Sequence, residues 1–304
     1  MNTVVIVGGG RWSKEIIKTI LNINLKKKIF VITKNKKVLT DWLRRKKIAS
    51  KVNIIDSLKK IYFKRYKFIV CNKTKNHFNS IKTLIKKRCD IFVEKPLCTS
   101  LLQAQKLEKF KKKIFYSRIF SFDNSIISFS KKIDKNSIKE ININWHDSFK
   151  RKEFGKKTSH DLSISYNFDI MPHILNISQI LIDKKKLILT NKGKIFFKNN
   201  NKANFFFRLN KIKINCKISR NGNKRIRQIK VICNNKTYFL DFSGKRENKI
   251  PKKKNEKLKI LTYINRRESL KNMLKAFLFN TKKKKELNFN YGLNYLKINK
   301  KVFC

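Results

Sequence analysis

The sequence predicts an α/β fold with two domains: an N-terminal doubly wound parallel sheet and a C-terminal α+β domain whose sheet is mostly antiparallel. Three observations predict it. Over residues 1–120, continuous apolar strands alternate with amphipathic helices, as in a parallel sheet covered on both faces. A glycine turn follows the first strand, and after residue 120 strands succeed one another with short turns. We therefore predict domains at 1–120 and 121–304, with the last helix able to pack back on the first domain.

The first domain has six apolar runs of strand length and four stretches with apolar residues at helical spacing. The predicted strands lie at residues 4–7, 28–33, 52–56, 67–72, 90–96 and 114–120. The predicted helices lie at residues 12–23, 38–48, 76–87 and 100–113. Helices between strands provide the crossovers that parallel pairing requires.

The second domain begins with a predicted strand at 137–147 and a helix at 160–182, in which Pro172 is expected to start or kink the second part. Turn signals such as Asn221–Gly222 then separate several short strands. These strands are predicted at 186–190, 193–198, 202–209, 211–218, 227–233 and 236–242. A solvated loop at 251–257 precedes two final helices, at 266–279 and 291–303.

The charge is extreme, because 77 Lys and Arg against 19 Asp and Glu give a formal net charge of +58. Such a charge is typical of proteins that bind nucleic acid or anionic membranes. The lysines are, however, spread along the whole chain and accompany abundant Asn, Ile and Phe, whose codons are rich in A and T. We interpret the charge as mainly compositional and expect no specific nucleic-acid partner. A basic nucleic-acid-binding protein on a doubly wound scaffold is the alternative.

Apolar patterning and cysteine usage favour a soluble, cytoplasmic protein without a membrane partner. No apolar run approaches the roughly 20 residues of a membrane helix, and no basic leader precedes the first apolar run. The six cysteines form no C-x-x-C pair and no Cys/His cluster with zinc spacing. We therefore predict reduced thiols and no metal site.

The turn after the first strand, GGGRWS at residues 8–13, has the features of a phosphate-binding turn. Gly8 permits a tight turn, and Gly10 lets the backbone approach a pyrophosphate at the N-terminus of the next helix. Ser13 replaces the third glycine of the usual fingerprint and is still small enough for close helix–strand packing. We predict a Rossmann dinucleotide site with Gly8, Gly10, Arg11, Trp12 and Ser13 at the cofactor.

The end of the second strand bears on which dinucleotide is bound. Enzymes that prefer NAD usually carry Asp or Glu there to bind the ribose 2′-OH. Thr33 and Lys34 stand at this position instead, and hydroxyl and ammonium groups suit a 2′-phosphate. We therefore predict NADP as the preferred cofactor, with NAD as the alternative.

Polar residues also follow the fourth and fifth strands. Asn72 and His77 come after the fourth strand, and Glu94 and Lys95 after the fifth. The carboxyl ends of parallel strands are where open α/β sheets bind ligands. Pro96 fixes the backbone direction behind Lys95, so we expect this lysine to project over the nicotinamide region. A lysine partly removed from water gives up its proton more readily to a carbonyl oxygen.

Two segments of the first domain resemble motifs of the Gfo/Idh/MocA oxidoreductases, the family of glucose–fructose oxidoreductase and inositol dehydrogenase. The segment VEKPL at 93–97 is similar to the family's Glu-Lys-Pro motif after the fifth strand. The segment FIVCNKTKNHF at 68–78 is similar to the stretch that ends in a histidine at a helix start, here His77. Both motifs fall where the predicted cofactor site lies.

A third segment, NFDIMPHILN at 167–176, resembles the family's Asp-x-Gly-x-His motif, with Met171 in place of the glycine. The resemblance implies hydride transfer between C4 of a nicotinamide and a carbonyl or alcohol carbon. It implies that Lys95 holds the substrate oxygen and shares its proton, and that His173 is a general acid or base. It further implies that Asp169 positions the substrate or His173, and it places Glu94 near the ribose and carboxamide end of the cofactor.

The predicted function is therefore that of an NAD(P)-dependent dehydrogenase or reductase. Its substrate is expected to be a small polar carbonyl or alcohol, sugar- or cyclitol-like, or a biosynthetic imine. The resemblance leaves open a homo-oligomer formed through the C-terminal sheet. A non-catalytic dinucleotide-binding module is a further alternative, against which the intact Lys95, Asp169 and His173 argue. His77 as a plain helix-start residue and His173 as a core histidine are the structural alternatives.

Overall fold

A computed structural model describes residues 3–23, 28–57, 66–87, 89–148, 151–153, 156–158, 164–184, 186–198, 201–243, 259–262 and 266–303. The chain divides into two compact units, residues 1–119 with 267–296 and residues 120–266 with 297–304. Within the described residues the α-helices are α1 (Arg11–Asn22), α2 (Lys36–Arg45), α3 (His77–Leu84), α4 (Leu101–Leu107), α5 (Asn124–Lys131), α6 (Tyr166–Ile182), α7 (Arg266–Leu278) and α8 (Phe289–Phe303).

Unit 1 contains one parallel sheet of six strands in the order β3-β2-β1-β4-β5-β6. Its strands are β1 (Thr3–Val7), β2 (Ile29–Ile32), β3 (Val52–Ile55), β4 (Tyr66–Val70), β5 (Asp90–Val93) and β6 (Ile114–Tyr116). The order of strand addition reverses between β1 and β4, so the crevice at their carboxyl ends is the switch point where doubly wound sheets bind ligands. The predicted doubly wound sheet is confirmed.

The central strands are buried on both faces, as their unbroken apolar sequences predict. The fully buried residues of β1, β4 and β5 are Val4, Val5, Ile6, Phe68, Ile69, Val70, Ile91, Phe92 and Val93. Each such side chain stabilises the fold by about 1.5–3 kcal/mol relative to an exposed position. This rigid core fixes the strand ends that carry the candidate site.

Residues 267–296 complete unit 1 through α7 and the first part of α8. Arg118, which follows β6, is buried, and its Nη1 donates to the main-chain oxygen of Glu286 (3.1 Å) and to the Glu286 carboxylate (3.0 Å). Its guanidinium lies 3.5 Å from the ring centre of Tyr291 on α8. Lys284 donates to Asp90 at the start of β5, over 2.7 Å. These contacts fasten the C-terminal segment to the strands of the same unit.

Unit 2 is built on a seven-stranded sheet in the order β10-β11-β12-β7-β13-β14-β15, with a separate β8–β9 hairpin. The strands are β7 (Ile138–Ser148), β8 (Arg151–Glu153), β9 (Lys156–Thr158), β10 (Leu189–Lys198), β11 (Lys202–Leu209), β12 (Ile212–Gly222), β13 (Ile226–Cys233), β14 (Thr237–Asp241) and β15 (Lys259–Thr262). The β12–β7 and β14–β15 pairs are parallel and the other pairs are antiparallel. The predicted mostly antiparallel sheet is confirmed. Helix α6 packs on β7, β12 and α5.

Several element boundaries differ from the prediction. Helix α6 runs through Pro172 without ending there, because burial of most of its residues by packing offsets the cost of an interior proline. The two strands predicted at 186–190 and 193–198 are one irregular strand, β10. Helix α5 was missed, although Asp123 before it is a good N-cap and accepts from the backbone of Ser125 and Ile126. The predicted helix start at 160–163 and the predicted loop at 251–257 lie outside the described residues.

None of the helices in the described parts of the chain is long and apolar enough to cross a membrane.

Candidate functional site

The glycine turn packs on the end of β4 at the switch point of the unit 1 sheet. Gly8 follows β1 with φ of +130°, a backbone conformation that glycine adopts readily and other residues rarely. A Cβ atom at this position would lie 2.9 Å from the backbone nitrogen of Asn72 and 2.9 Å from the main-chain oxygen of Cys71. Only glycine therefore allows the turn to approach β4 so closely.

Gly10 leaves open space at the N-terminus of α1. It is the N-cap residue, no side chain caps the helix, and the first turn carries no acidic residue. A Cβ atom at Gly10 would meet no atom within 4 Å. Unsatisfied N–H groups at a helix start, with room for a ligand, are what a pyrophosphate requires. The residues present therefore fit a dinucleotide, with the exposed Arg11 and the half-buried Trp12 directly after the turn.

Ser13 replaces the third glycine without opening a gap between α1 and the sheet. It is fully buried, and its Oγ lies 3.2 Å from the Sγ of Cys71 at the end of β4. Burial raises the pKa of the Cys71 thiol to about 12, so this sulfur is a packing group at neutral pH. A serine is thus small enough for the close helix–strand contact.

The segment after β2 packs against the glycine turn. A Cβ atom at Gly9 would lie 2.3 Å from the Oγ1 of Thr33, so Thr33 fills the space that glycine leaves there. Lys34 is exposed, and the Oγ1 of Thr33 accepts from the backbone of Asn35 over 3.1 Å. A nearby carboxylate, Asp56 after β3, pairs with Lys36.

Glu94 joins the ends of three segments of unit 1. Its Oε1 accepts from the Oγ of Ser117 (3.1 Å), which follows β6, and its Oε2 accepts from the backbone of Lys95 (3.3 Å). Burial raises the pKa of the Glu94 carboxyl group, and the indole N–H of Trp12, the charge of Lys95 and the Ser117 hydroxyl oppose this rise. The indole nitrogen of Trp12 is buried and forms no hydrogen bond of standard geometry. It is nevertheless close enough to lower the pKa of the Glu94 carboxyl group. Sequence reasoning missed Ser117, although it follows a strand at the same sheet edge.

Lys95 stands at the carboxyl end of β5 and is half-buried between the buried residues Glu94 and Pro96. The Lys95–Pro96 peptide bond is cis. Leu97 and Cys98 behind it are fully buried. The backbone on both sides of Lys95 is therefore fixed by packing.

His77 connects the end of β4 to the segment after β5. It is 1% exposed, with Nδ1 2.9 Å from the main-chain oxygen of Pro96 and Nε2 3.2 Å from that of Asn72. Burial lowers the pKa of the imidazole, and a neutral ring donates through one nitrogen. Asn72 in turn donates from Nδ2 to the Oγ of Ser80 over 2.8 Å. These contacts support a positioning role for His77 toward the Lys95–Pro96 segment.

The contribution of His77 to stability is expected to depend on pH. Because its pKa in the folded protein is lowered from 6.5, its stabilising effect is present above pH 6.5 and is lost as the pH falls toward the folded value. The unfolding free energy of the wild type should therefore drop more steeply than that of His77→Asn as the pH falls below 6.5. Denaturant titrations of both proteins from pH 7.5 downward measure the difference. Parallel pH profiles would show that His77 is not buried in its neutral form.

Asp169 and His173 lie one turn apart on α6 in unit 2, and both are half-buried. Residues four apart on a helix share a face. The imidazole of His173 stacks on the indole of Trp145, with ring centres 5.2 Å apart and planes inclined by 19°. The ring of Phe120 meets it edge-on, with centres 5.3 Å apart. This aromatic environment was not predicted, because Phe120 and Trp145 are distant from His173 in sequence.

The predicted site residues thus form two groups. The group in unit 1 lies at the carboxyl edge of the parallel sheet and comprises Gly8, Gly10, Arg11, Trp12, Ser13, Thr33, Lys34, Asn72, His77, Glu94 and Lys95. The group in unit 2 comprises Asp169 and His173 on α6. In the described parts of the chain, no group of His, Cys, Asp and Glu side chains could hold a metal ion.

Solved structures share the fold of the whole chain. A myo-inositol dehydrogenase from Corynebacterium glutamicum ATCC 13032 has a TM-score of 0.71 and 13% identity, covering 99% of this chain and 95% of that one. The UDP-N-acetylglucosamine 3-dehydrogenase GnnA from Acidithiobacillus ferrooxidans has a TM-score of 0.69 and 12% identity, covering 99% and 97%. GenD2 from gentamicin A biosynthesis, in complex with NAD, has a TM-score of 0.71 and 12% identity, covering 99% and 93%. At these identities the likeness shows the fold.

A glycine turn at the switch point of a six-stranded parallel sheet is the arrangement of a dinucleotide-binding Rossmann fold. Residues 2–114 match the family model described as an oxidoreductase family with an NAD-binding Rossmann fold. This match confirms the resemblance of the first domain to the Gfo/Idh/MocA oxidoreductases. No curated protein matches the sequence significantly.

Proposed function

We propose that the protein transfers a hydride between a nicotinamide cofactor and a carbonyl or alcohol carbon of a small polar substrate. The observation that carries the proposal is the placement of the glycine turn and Lys95 at one edge of one sheet. Gly8 and Gly10 follow β1, Lys95 follows β5, and β4 lies between these strands. This placement supports one shared crevice in unit 1 for the cofactor and a proton-donating ammonium group.

The residues of the chain have separate tasks in this proposal. When bound, the nicotinamide supplies or accepts the hydride. Lys95 holds the substrate oxygen through its Nζ and gives it, or takes from it, a proton. Glu94 and His77 hold the backbone on either side of Lys95 through the contacts at the ends of β4, β5 and β6. In unit 2, His173 acts as acid or base and Asp169 orients it or the substrate.

The proposed substrate is a sugar or cyclitol with a secondary alcohol, or the corresponding ketone. The support is the shared fold with a myo-inositol dehydrogenase and a UDP-N-acetylglucosamine 3-dehydrogenase. A biosynthetic imine is the second candidate, because a protonated lysine can also assist reduction of a carbon–nitrogen double bond.

A substrate panel tests this function. Reduction of NAD⁺ and NADP⁺ is followed with myo-inositol, glucose and UDP-N-acetylglucosamine, and oxidation of NADH and NADPH with inosose and a cyclic imine. Turnover with one class is the expected result. Tight cofactor binding without turnover on any compound would favour the non-catalytic dinucleotide-binding module.

We further propose that NADP is preferred to NAD. The support is the absence of a carboxylate from the segment directly after β2, where Thr33 and the exposed Lys34 stand. A hydroxyl and an ammonium group can bind a 2′-phosphate, whereas NAD-preferring enzymes usually carry an acid for the ribose 2′-OH.

Lys34→Asp is expected to shift the affinity ratio from NADPH toward NADH, because it replaces a cation by the acid that NAD enzymes use. Nicotinamide fluorescence titration measures both affinities. Lys28→Asp is the matched control, because Lys28 is exposed just before β2, at the opposite edge of the sheet. Equal affinities of the wild type for NADPH and NADH would overturn the proposed preference. An equal shift of the affinity ratio in Lys34→Asp and Lys28→Asp would mean that net charge, and not the position of Lys34, causes the effect.

A further inference from the structure

The imidazole of His173 lies against a group of packed side chains within unit 2. Its ring stacks on one face of the Trp145 indole, with ring centres 5.2 Å apart and planes inclined by 19°. Stacking occupies a face of the imidazole and neither of its ring nitrogens, which lie in the plane of the ring. His173 can therefore be held by Trp145 and still transfer a proton at its edge.

A buried guanidinium, that of Arg227, also packs on the indole. Arg227 is the direct cross-strand partner of Trp145 in the antiparallel β7–β13 pair. Its guanidinium carbon lies 3.7 Å from the centre of the indole ring, a cation–π contact. The indole of β7 thus contacts both an imidazole from α6 and a guanidinium from β13.

Arg227 is itself held firmly. Its side chain is 1% exposed and that of Asp147, with which it forms an ion pair through Nη2, is 5% exposed. Nη1 donates to the main-chain oxygen of His146 over 2.9 Å. The guanidinium therefore has fixed partners on β7, the strand that carries Trp145.

The rim of the indole is closed by two more aromatic rings. Phe120 meets Trp145 edge-on with ring centres 5.9 Å apart, and Phe242, after β14, does so at 6.0 Å. Phe120 and Phe242 also contact each other, at 6.2 Å. Trp145 is 2% exposed, so the plane of its indole is set by the packing around it.

We propose that Trp145 is a positioning residue for His173, and that the buried Arg227–Asp147 pair fixes the indole in its place. This inference rests on the proposed function, in which His173 is an acid or base. The indole sets the plane of the imidazole, so the ring edge that exchanges a proton keeps one direction before substrate arrives. Such preorganisation matters because a misplacement of about 1 Å can cost roughly 10²-fold in rate.

The first test is spectroscopic and requires no substrate. An aromatic ring shifts protons above its face upfield, so the carbon-bound ring protons of His173 should resonate upfield of an unstacked histidine. The chain has four histidines, and His173→Gln assigns the signal. Trp145→Leu should return the His173 signal toward the value of an unstacked histidine. Phe242→Leu removes a ring that contacts Trp145, and it should leave the His173 signal shifted upfield. An unshifted His173 signal in the wild type would overturn the proposal, whether or not the Trp145 and Phe242 variants fold.

The second test is single-turnover hydride transfer with the substrate that the panel identifies. Trp145→Leu is expected to slow transfer roughly 10²-fold with cofactor affinity unchanged, and Trp145→Phe, which keeps an aromatic face, is expected to restore most of the rate. If His173→Ala abolishes transfer while Trp145→Leu does not slow it, the positioning role is wrong. If His173→Ala itself transfers hydride normally, the proposed role of His173 in the reaction is wrong instead.

Discussion

Lys95→Ala is expected to slow hydride transfer by about 10²–10⁴-fold, the usual loss when one positioned acid–base group is removed. The affinity for the cofactor should stay near that of the wild type, because the turn formed by Gly8 and Gly10 does not depend on this side chain. Lys95→Arg should restore little, since a guanidinium keeps the charge but does not readily release a proton. Single-turnover transfer at saturating cofactor measures the loss.

The control for this prediction is Lys82→Ala, which removes the same side chain from an exposed position on α3. It should leave both transfer and cofactor affinity unchanged. Normal turnover by Lys95→Ala would mean that the Glu94–Lys95–Pro96 segment is a structural strand end and that Lys95 has no part in the reaction.

Arg227→Met is expected to destabilise the protein by about 3–5 kcal/mol, because it removes the positive charge beside the buried carboxylate of Asp147. Both side chains are almost fully buried, at 1% and 5% exposure. The double variant Arg227→Met/Asp147→Leu should regain most of this loss, since replacing a buried ion pair by apolar groups is often close to neutral. Chemical denaturation, followed by circular dichroism and fluorescence, compares the three proteins.

Lys213→Met is the control for the loss of a cation from the same sheet. Its ion pair with Glu140 is 3.7 Å long and more exposed, with side chains at 37% and 25%. Such a pair stabilises the folded protein by about 0–1 kcal/mol, so the unfolding free energy of this variant should stay close to that of the wild type. If Arg227→Met loses no more unfolding free energy than Lys213→Met, the buried Asp147 carboxylate does not depend on Arg227 and the prediction is wrong.

Much of unit 1 could be predicted from the sequence because its signals are local. Unbroken apolar runs such as Val4–Ile6 identify strands buried on both faces, and helical spacing identifies the segments between them. The glycine turn and the Glu94–Lys95–Pro96 segment stand directly after strands, so a parallel arrangement alone brings them to one edge. The structure confirms this arrangement.

The contacts around the proposed acid–base residues could not be predicted, because they join distant segments. Glu94 meets Ser117 only once β5 and β6 are paired. Arg227 reaches the Trp145 indole because β13 pairs with β7 in one particular register, and no local pattern specifies that register. The sequence around His77 is that of an ordinary helix start and does not indicate burial. The side chain is buried because the segment that contains Pro96 packs on it.

Boundaries in unit 2 were less predictable for a related reason. Helix α6 continues through Pro172, where local propensity alone favours an end, because most of its residues are buried by packing. The central strand β7 pairs in parallel with β12 and antiparallel with β13, a mixture that short turns between strands do not indicate.

The most direct test of the proposed reaction is transfer of deuterium to the substrate from a reduced nicotinamide that carries deuterium at both C4 positions. A single turnover is run with the wild type and with Lys95→Ala, using the substrate from the panel, and the product is analysed by mass spectrometry and NMR. We predict deuterium on the substrate carbon that was the carbonyl or imine carbon, formed about 10²–10⁴-fold more slowly by Lys95→Ala. Deuterium that stays entirely on the cofactor while the substrate is converted would contradict the proposed function.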